Sequence, residues 1–226
     1  MIRIENLHKS FGAKKVLKDI NIHFETGKVY GIVGENGAGK TTFFNCISGM
    51  ENFDGKIISD HTPLKNFLGY LLTDPYFFPK ITGREYLQLC CIARGKDEIN
   101  FNDKNIFELP LDEYAANYST GMKKKLAFTA ILLQENEVLI LDEPFNGVDI
   151  QSNMIISGII NKLKDLGKTI LISSHIFSTL EETCDEIHLM REGRFVKRAL
   201  KEDFAELDAE MKKSIIGNKL ELLDLK

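Results

Sequence analysis

Apolar and polar positions along the chain predict strands that alternate with helices. Three strands are expected in the first 33 residues, around Ile2–Leu7, Val16–Phe24 and 29–33, with turns at Phe11-Gly12 and Thr26-Gly27. The same patterns predict further strands over 55–59, 67–72, 138–141, 168–173 and 186–190, and helices over 40–50, 120–135, 151–166 and 176–183. Strands that alternate with helices in this way are typical of an α/β fold with a mostly parallel sheet.

Two segments interrupt this alternation. Residues 82–116 begin with helix-like sequence and continue into an Asn/Asp-rich stretch at 97–105, which predicts a small helical insertion. From Ala199 onward, apolar residues recur at helical spacing and predict a helix packed on the body; they are Phe204, Leu207, Met211 and Ile215.

Composition narrows the class of protein. The chain has 226 residues, 43% of them hydrophobic, and a formal net charge of −4. That length and apolar content suit one large domain and exclude a disordered chain, and the acidic excess argues against broad coating of nucleic acid. No apolar run approaches the roughly 20 residues that span a bilayer, and no signal peptide is visible. The four cysteines form no CxxC pair, so we expect free thiols in a reducing cytosol and no zinc site.

The clearest chemical signal is GENGAGKT at 34–41, between a predicted strand and a predicted helix. Its three glycines let backbone N–H groups turn toward a phosphate, and the start of the helix adds the positive end of its dipole. We expect Lys40 to reach the β- and γ-phosphates, Thr41 to bind Mg²⁺ and Thr42 to reach the α-phosphate. A glycine-rich turn with a chance lysine is the alternative, but the order of strand, loop and helix disfavours it.

A second motif, VLILDEP at 138–144, is a buried strand that ends in two carboxylates. Asp142 suits Mg²⁺ binding, directly or through water, and Glu143 suits polarisation of an attacking water. Alone, the two carboxylates could merely cap a following helix. The phosphate loop upstream favours the catalytic interpretation.

Three more motifs follow: YSTGMKKKL at 118–126, FNGVD at 145–149 and SSH at 173–175. With all five in this order, residues 1 to about 198 resemble the ATP-binding cassette (ABC) family, the motor subunits of ABC transporters. The resemblance implies a P-loop NTPase core with a mostly parallel sheet, an N-terminal antiparallel β-subdomain and a small helical subdomain. One domain over 1–226 would then comprise a core at about 1–79 and 136–198, a helical subdomain at about 80–135 and a helical tail at about 199–226.

The resemblance also implies roles for individual residues. Glu143 and His175 would be catalytic, and His175 would contact the γ-phosphate. Ser119 and Gly121 would bind the ATP of the opposite subunit, Asp149 would lie at the dimer interface, and Phe11 would stack on adenine. The loop residues that would hold nucleotide are Gly34, Glu35, Asn36, Gly37, Ala38, Gly39, Lys40, Thr41 and Thr42.

Simpler interpretations exist for some of these residues. Ser119 is also a good helix N-cap, Phe11 could be a core aromatic, and His175 could be a buried structural histidine. The lysines at 123–125 look like a nucleic-acid patch, but at the start of a helix we expect them to form a solvated face. The aromatics at 76–78 either dock a membrane partner or pack beneath the helical insertion.

The sequence departs from the family pattern at two places. The position of the usual Mg²⁺-contacting glutamine is Thr73, and no glutamine occurs between 69 and 79. Thr73 joins Thr41 and Asp142 as a candidate metal residue, but its shorter side chain would need a bridging water to reach the ion. In the signature, Thr120 replaces a glycine and Met122 a glutamine, while Ser119 and Gly121 remain.

The function implied by the resemblance is a subunit that binds and hydrolyses ATP and powers a separate integral membrane permease through ATP-driven dimer closure. ATP and Mg²⁺ are the expected cofactors, and the dimer would pair two copies or two related cassettes. We expect a cytoplasmic protein, peripheral on the cytoplasmic face of the membrane, with no membrane insertion and no nucleic acid partner. The signature resembles that of export-type transporters. The alternatives are a soluble ABC ATPase acting on ribosomes or nucleic acid, and a nucleotide-controlled regulatory module.

Overall fold

The computed structural model describes residues 1–96 and 99–220, and for 214–220 it describes the backbone alone. The strands are β1 (Ile2–Phe11), β2 (Lys14–Phe24), β3 (Val29–Val33), β4 (Asp54–Ser59), β5 (Leu68–Leu71), β6 (Val138–Asp142), β7 (Thr169–Ser174), β8 (Glu186–Arg191) and β9 (Arg194–Leu200). The helices are α1 (Lys40–Ser48), α2 (Gly83–Ile92), α3 (Thr120–Leu133), α4 (Ile150–Asp165), α5 (Phe177–Glu181) and α6 (Phe204–Leu220), with short 3₁₀ turns at Leu64–Asn66, Ala115–Asn117 and Lys201–Asp203.

The strands form two sheets. A three-stranded antiparallel sheet has the order β2-β1-β4, and a six-stranded sheet has the order β5-β6-β7-β3-β8-β9. All neighbours in the larger sheet are parallel except β8 and β9. The predicted mixed α/β fold, with a mostly parallel sheet and an N-terminal antiparallel one, is therefore confirmed.

The larger sheet lies between two apolar layers. Along β6, Val138 and Ile140 join a core with α1 and the antiparallel sheet, while Leu139 and Leu141 join a core with α3 and α4. Every residue of β3, β6 and β7 is buried, which explains their continuous apolar sequences. The carboxyl ends of these three strands meet at one edge, where open α/β sheets bind ligands.

The ends of most predicted elements lie within a residue or two of the observed ones, but β1 extends four residues beyond its predicted end at Leu7, and β9 was missed. The residues of β9 are mostly exposed and carry three charges, those of Arg194, Lys197 and Arg198, so they form no apolar run. A two-residue turn joins β9 to β8, and both turn residues, Glu192 and Gly193, have positive φ (46° and 76°). That geometry matches the twist of an antiparallel hairpin.

The insertion and the tail are helical where the structure describes them. A capping box starts α2, in which Thr82 and Glu85 satisfy each other's backbone N–H groups. In α6, Phe204, Leu207 and Met211 are buried on the body as expected. Residues 97–98, the side chain of Ile215 and residues 221–226, which fall in the predicted insertion and tail, lie outside the described part. No described helix has both the length and the apolarity that a bilayer crossing requires.

Candidate functional site

The phosphate loop connects β3 to α1 and wraps around the side chain of Lys40. The Lys40 Nζ donates to the carbonyl oxygens of Gly34 (2.7 Å) and Glu35 (3.3 Å), and the side chain is almost fully buried. A Cβ at Gly34 would lie 2.4 Å from the carbonyl oxygen of Met190, so only glycine fits there. Gly39 caps α1 with φ 113°, and no side chain caps this helix end. Its free N–H groups can therefore serve an anion.

The other residues of the phosphate loop differ in how exposed they are. Glu35, Asn36 and Gly37 are exposed, whereas Ala38 is buried and its carbonyl accepts from the Gly193 N–H (2.9 Å). Thr41 is exposed and Thr42 half-buried at the start of α1. The loop thus offers backbone and hydroxyl groups outward while its base is fixed against the β8–β9 turn.

Three hydroxyl groups converge on the buried carboxylate of Asp142. Thr41 Oγ1 (2.6 Å) and Thr73 Oγ1 (2.8 Å) both donate to Asp142 Oδ2, and Ser173 Oγ donates to Asp142 Oδ1. The register explains the last contact, since Asp142 and Ser173 are paired across β6 and β7. Hydroxyl and carboxylate oxygens are the hard donors that Mg²⁺ prefers, so Thr41, Thr73 and Asp142 form a chemically suitable set. The described residues contain no group of three or more His, Cys, Asp or Glu side chains placed to hold a metal.

Glu143 lies next to both Lys40 and His175. Its Oε2 is 2.8 Å from His175 Nδ1, and its Oε1 is 3.7 Å from Lys40 Nζ. Because a carboxylate only accepts, the His175 nitrogen is the donor in this pair. The side chain of His175 is 43% exposed, which excludes the interpretation as a buried structural histidine. The predicted catalytic pair is therefore in direct contact beside the phosphate loop.

A cavity of about 390 Å³ opens in front of these residues. Its wall includes Phe11, Thr73, Glu143 and the loop residues 36–37 and 39–42. Phe11 is 48% exposed and not part of the core, and Lys9 Nζ lies 4.6 Å from its ring centroid. This position fits the predicted aromatic stacking partner for a base.

Ser119, Gly121 and Asp149 lie outside that cavity. Ser119 caps α3 by accepting from the Met122 N–H (3.2 Å), as the simpler interpretation expected. A Cβ at Gly121 would lie 2.6 Å from the carbonyl oxygen of Gly147, so α3 starts tightly against the segment that contains Asp149. Asp149 caps α4 through Ser152, and hydrogen bonds from Ser152 and Lys125 hold its pKa well below its usual range.

The expectation of a solvated lysine face at 123–125 was wrong for Lys124. Lys124 is 2% exposed, and its Nζ donates to the backbone carbonyl of Glu143 (2.8 Å). The reason is tertiary packing: the six consecutive residues 126–131 are all buried, so α3 is enclosed on every side along this stretch, and Lys124 lies at the start of it. Lys125 is half-buried, with 14% of its side chain exposed, and contacts Asp149 (3.2 Å).

Sequence reasoning also assigned no role to Ser173, which contacts both carboxylate-bearing residues. Its Oγ accepts from the Glu143 N–H (2.9 Å) while donating to Asp142. A signal was available, because Ser173 ends a buried strand adjacent to the one that carries Asp142. Of the aromatics at 76–78, Phe77 is buried against Tyr86 of the insertion, as the packing interpretation expected, whereas Tyr76 (69%) and Phe78 (56%) are exposed.

Comparison with known proteins gives one consistent result. Residues 17–146 match the family model described as ABC transporter. The bacitracin transport ATP-binding protein BcrA of Enterococcus faecalis is 36% identical over 211 residues, which cover 87% of this chain and 68% of that protein. The lantibiotic transport ATP-binding protein SrtF of Streptococcus pyogenes is 31% identical over 210 residues, covering 87% and 89%.

Solved structures agree with these relatives. The ATP-binding subunit of an ABC transporter superposes with a TM-score of 0.79 at 27% identity, covering 92% of this chain and 93% of that one. A dimeric post-hydrolysis state of the cassette MJ0796 bound to ADP and Pi superposes with a TM-score of 0.81 over 89% of this chain and 99% of that one. At 19% identity, the second likeness shows the fold.

Proposed function

This chain belongs to the ABC transporter family, and we propose that it binds ATP between two copies, hydrolyses it, and so drives a separate membrane permease. The proposal is carried by one observation: the phosphate-loop lysine, the Asp142 hydroxyl cluster and the Glu143–His175 pair meet at one edge of the sheet. This arrangement supplies the cation, the metal donors and the base that phosphoryl transfer to water requires.

Different residues of this chain bind the nucleotide, position the catalytic base and activate the water. Lys40 and the first N–H groups of α1 neutralise the phosphate oxygens, and Phe11 stacks on the base. Glu143 orients and polarises the attacking water, and His175 holds the Glu143 carboxylate in position through its Nδ1 hydrogen bond. Mg²⁺, held by Thr41, Asp142 and Thr73, would neutralise charge that develops on the phosphates.

A second copy supplies the rest of the site. Ser119 and Gly121 start α3 at the surface, and that helix end is available to the γ-phosphate of ATP on the partner. Asp149, fixed beside them by Ser152, stands at the same surface. Closure of the two copies around ATP, and their opening after hydrolysis, would provide the motion that a membrane subunit transmits.

Family membership supports a membrane permease as the partner and a location at the membrane. The exposed pair Tyr76 and Phe78, 5.6 Å apart between ring centroids, continues from Thr73 and offers an apolar surface to a membrane subunit. We place the protein on the cytoplasmic face of the membrane, and retain the division into a core at about 1–79 and 136–198, a helical part at about 80–135 and a tail. The relatives act in bacitracin and lantibiotic transport, which favours export of a peptide antibiotic by analogy.

Co-purification tests the proposal. The Glu143→Gln variant, isolated with ATP and Mg²⁺ from detergent-solubilised native membranes, should bring down a polytopic membrane protein in stoichiometric amount. The Lys40→Ala variant, prepared in parallel, serves as the control that does not close around ATP. Recovery of ribosomes or nucleic acid in place of a membrane protein would contradict the transporter assignment.

A further inference from the structure

The buried Lys124 has no part in the mechanism above, yet its charge lies directly beneath the catalytic residue. Its Nζ donates to the carbonyl oxygen of Glu143 at 2.8 Å, in a buried position. Burial lowers the pKa of Lys124, while the charges of Asp74, Glu143 and Asp142 oppose that shift. A buried ammonium costs stability unless it is paired, and a hydrophobic residue would fill this position without that cost. The lysine therefore calls for a functional explanation.

The backbone of Glu143 shows what the lysine holds. Glu143 has φ 52°, in the left-handed region that a residue with a Cβ adopts only at a cost of about 1 kcal/mol or more. Its N–H donates to Ser173 Oγ (2.9 Å), and its carbonyl accepts from Lys124 Nζ (2.8 Å) and from the Asn146 N–H (3.2 Å). The peptide groups on both sides of the Glu143 Cα are thus fixed, and together they set the direction of the carboxylate toward His175 and Lys40.

The position of Lys124 along the chain gives a second argument for a functional role. Lys124 lies in α3, five residues after the N-cap Ser119 and three after Gly121. The same short helix segment therefore carries the group that would bind the partner's ATP and the group that holds the catalytic backbone. A displacement of the start of α3 would be transmitted to the Glu143 backbone through the Lys124 side chain.

We propose that Lys124 is a positioning residue for ATP hydrolysis: it holds the Glu143 backbone in its left-handed conformation and links the orientation of the base to α3. The inference rests on the proposed function of Glu143. Lys124 is buried and does not line the cavity in front of the phosphate loop, so it should influence the hydrolytic step and leave nucleotide binding at the phosphate loop unchanged.

Two substitutions test this role. Lys124→Met keeps the length of the side chain and removes both the charge and the donor, whereas Lys124→Gln keeps a neutral donor on a shorter side chain. Lys123→Met is the matched control, because it removes one lysine charge from the neighbouring, half-buried position. For the full chain we would measure kcat, KM for ATP, ATP affinity, and mass in solution with ATP and Mg²⁺.

We expect Lys124→Met to lower kcat at least tenfold, with KM and ATP affinity within about threefold of wild type. Because slow hydrolysis preserves bound ATP, this variant should also accumulate as an ATP-bound dimer, which mere loss of structure would not produce. Lys124→Gln should lose less in kcat, and Lys123→Met should behave as wild type. If Lys124→Met does not fold, a kcat for Lys124→Gln reduced at least threefold at unchanged affinity supports the role.

A wild-type kcat in the folded Met variant would overturn the inference, as would equal losses of kcat and ATP affinity; if the Met variant does not fold, a wild-type kcat in the Gln variant would overturn it. Glu143→Gln, assayed beside them, separates this failure from failure of the proposed function. If Glu143→Gln is inactive while Lys124→Met turns over normally, only the positioning role is wrong. If Glu143→Gln itself turns over normally, the assignment of the base is wrong.

Discussion

Thr73 offers a sharp test because it occupies the place where the family pattern has a glutamine. Its hydroxyl donates to the same Asp142 oxygen as Thr41, at 2.8 and 2.6 Å. Thr73→Val removes the hydroxyl while conserving the branched shape, and Thr73→Ser keeps the hydroxyl while removing the methyl group. Comparing the two variants therefore separates the effect of the hydroxyl oxygen from the effect of side-chain packing.

The magnitude follows from the contact. A hydrogen bond to a charged group contributes about 1.5–3 kcal/mol, and Asp142 retains its bonds from Thr41 and Ser173, so we expect a net loss of about 1–2 kcal/mol. If the Thr73 oxygen binds Mg²⁺, directly or through water, or orients Asp142 toward it, that loss appears in metal affinity. The Mg²⁺ concentration for half-maximal activity should then rise about 5- to 30-fold.

The assay is ATP hydrolysis at saturating ATP, titrated with Mg²⁺. Thr73→Val should show the raised Mg²⁺ requirement, and Thr73→Ser should remain close to wild type. A Mg²⁺ requirement in Thr73→Val that is unchanged or lower would refute the reasoning, because it would mean that the Thr73 hydroxyl only restrains Asp142 in the metal-free protein.

Three further predictions concern the rest of the molecule. Lys40→Ala should weaken ATP binding at least tenfold in calorimetry, since the phosphates lose their nearest cation; unchanged affinity would contradict the phosphate-loop assignment. Phe11→Ala should weaken ATP binding about fivefold, from the loss of about 1 kcal/mol of stacking, and Phe11→Tyr should not; equal affinities would remove Phe11 from the base site. Burial raises the pKa of Glu186, but the adjacent His188 ring and the two hydrogen bonds that Arg198 donates to the carboxylate outweigh burial and lower the pKa to about 2, from an ordinary 4.5. The stability that this ionised group provides is therefore present above about pH 4.5 and lost as pH falls toward 2, so in urea unfolding Glu186→Gln should be less stable at neutral pH and lose less on acidification.

Those parts of the molecule that local sequence determines were predictable. The phosphate loop needs glycines because other backbone groups approach it closely, as the Met190 carbonyl does at Gly34. The strand before the loop, β3, has a continuous apolar sequence, and the helix after it, α1, has apolar residues at helical spacing. The order of motifs then placed Asp142, Glu143 and His175 at the ends of parallel strands, where the sheet brings them together. This placement could be predicted because the carboxyl ends of parallel strands always lie at the same edge of a sheet.

The features that the sequence did not predict depend on tertiary contacts. Three consecutive lysines have the same local sequence signal, and only the packing of α3 against the sheet decides that Lys124 is buried and Lys125 is not. Likewise, β9 is a strand because it pairs with β8, whereas its own sequence alternates weakly and is charged. The contact of Thr73 with Asp142 joins residues 69 positions apart, and no local pattern reports it.

The central claim is that ATP is held between two copies of this chain and hydrolysed with Glu143 as base. The most direct measurement is the solution mass of Glu143→Gln by light scattering, with saturating ATP and Mg²⁺. The account predicts a dimer, twice the 25.7 kDa of one chain, with ATP bound and turnover at least about 100-fold below wild type. A monomer that binds ATP and hydrolyses it at the wild-type rate would contradict it.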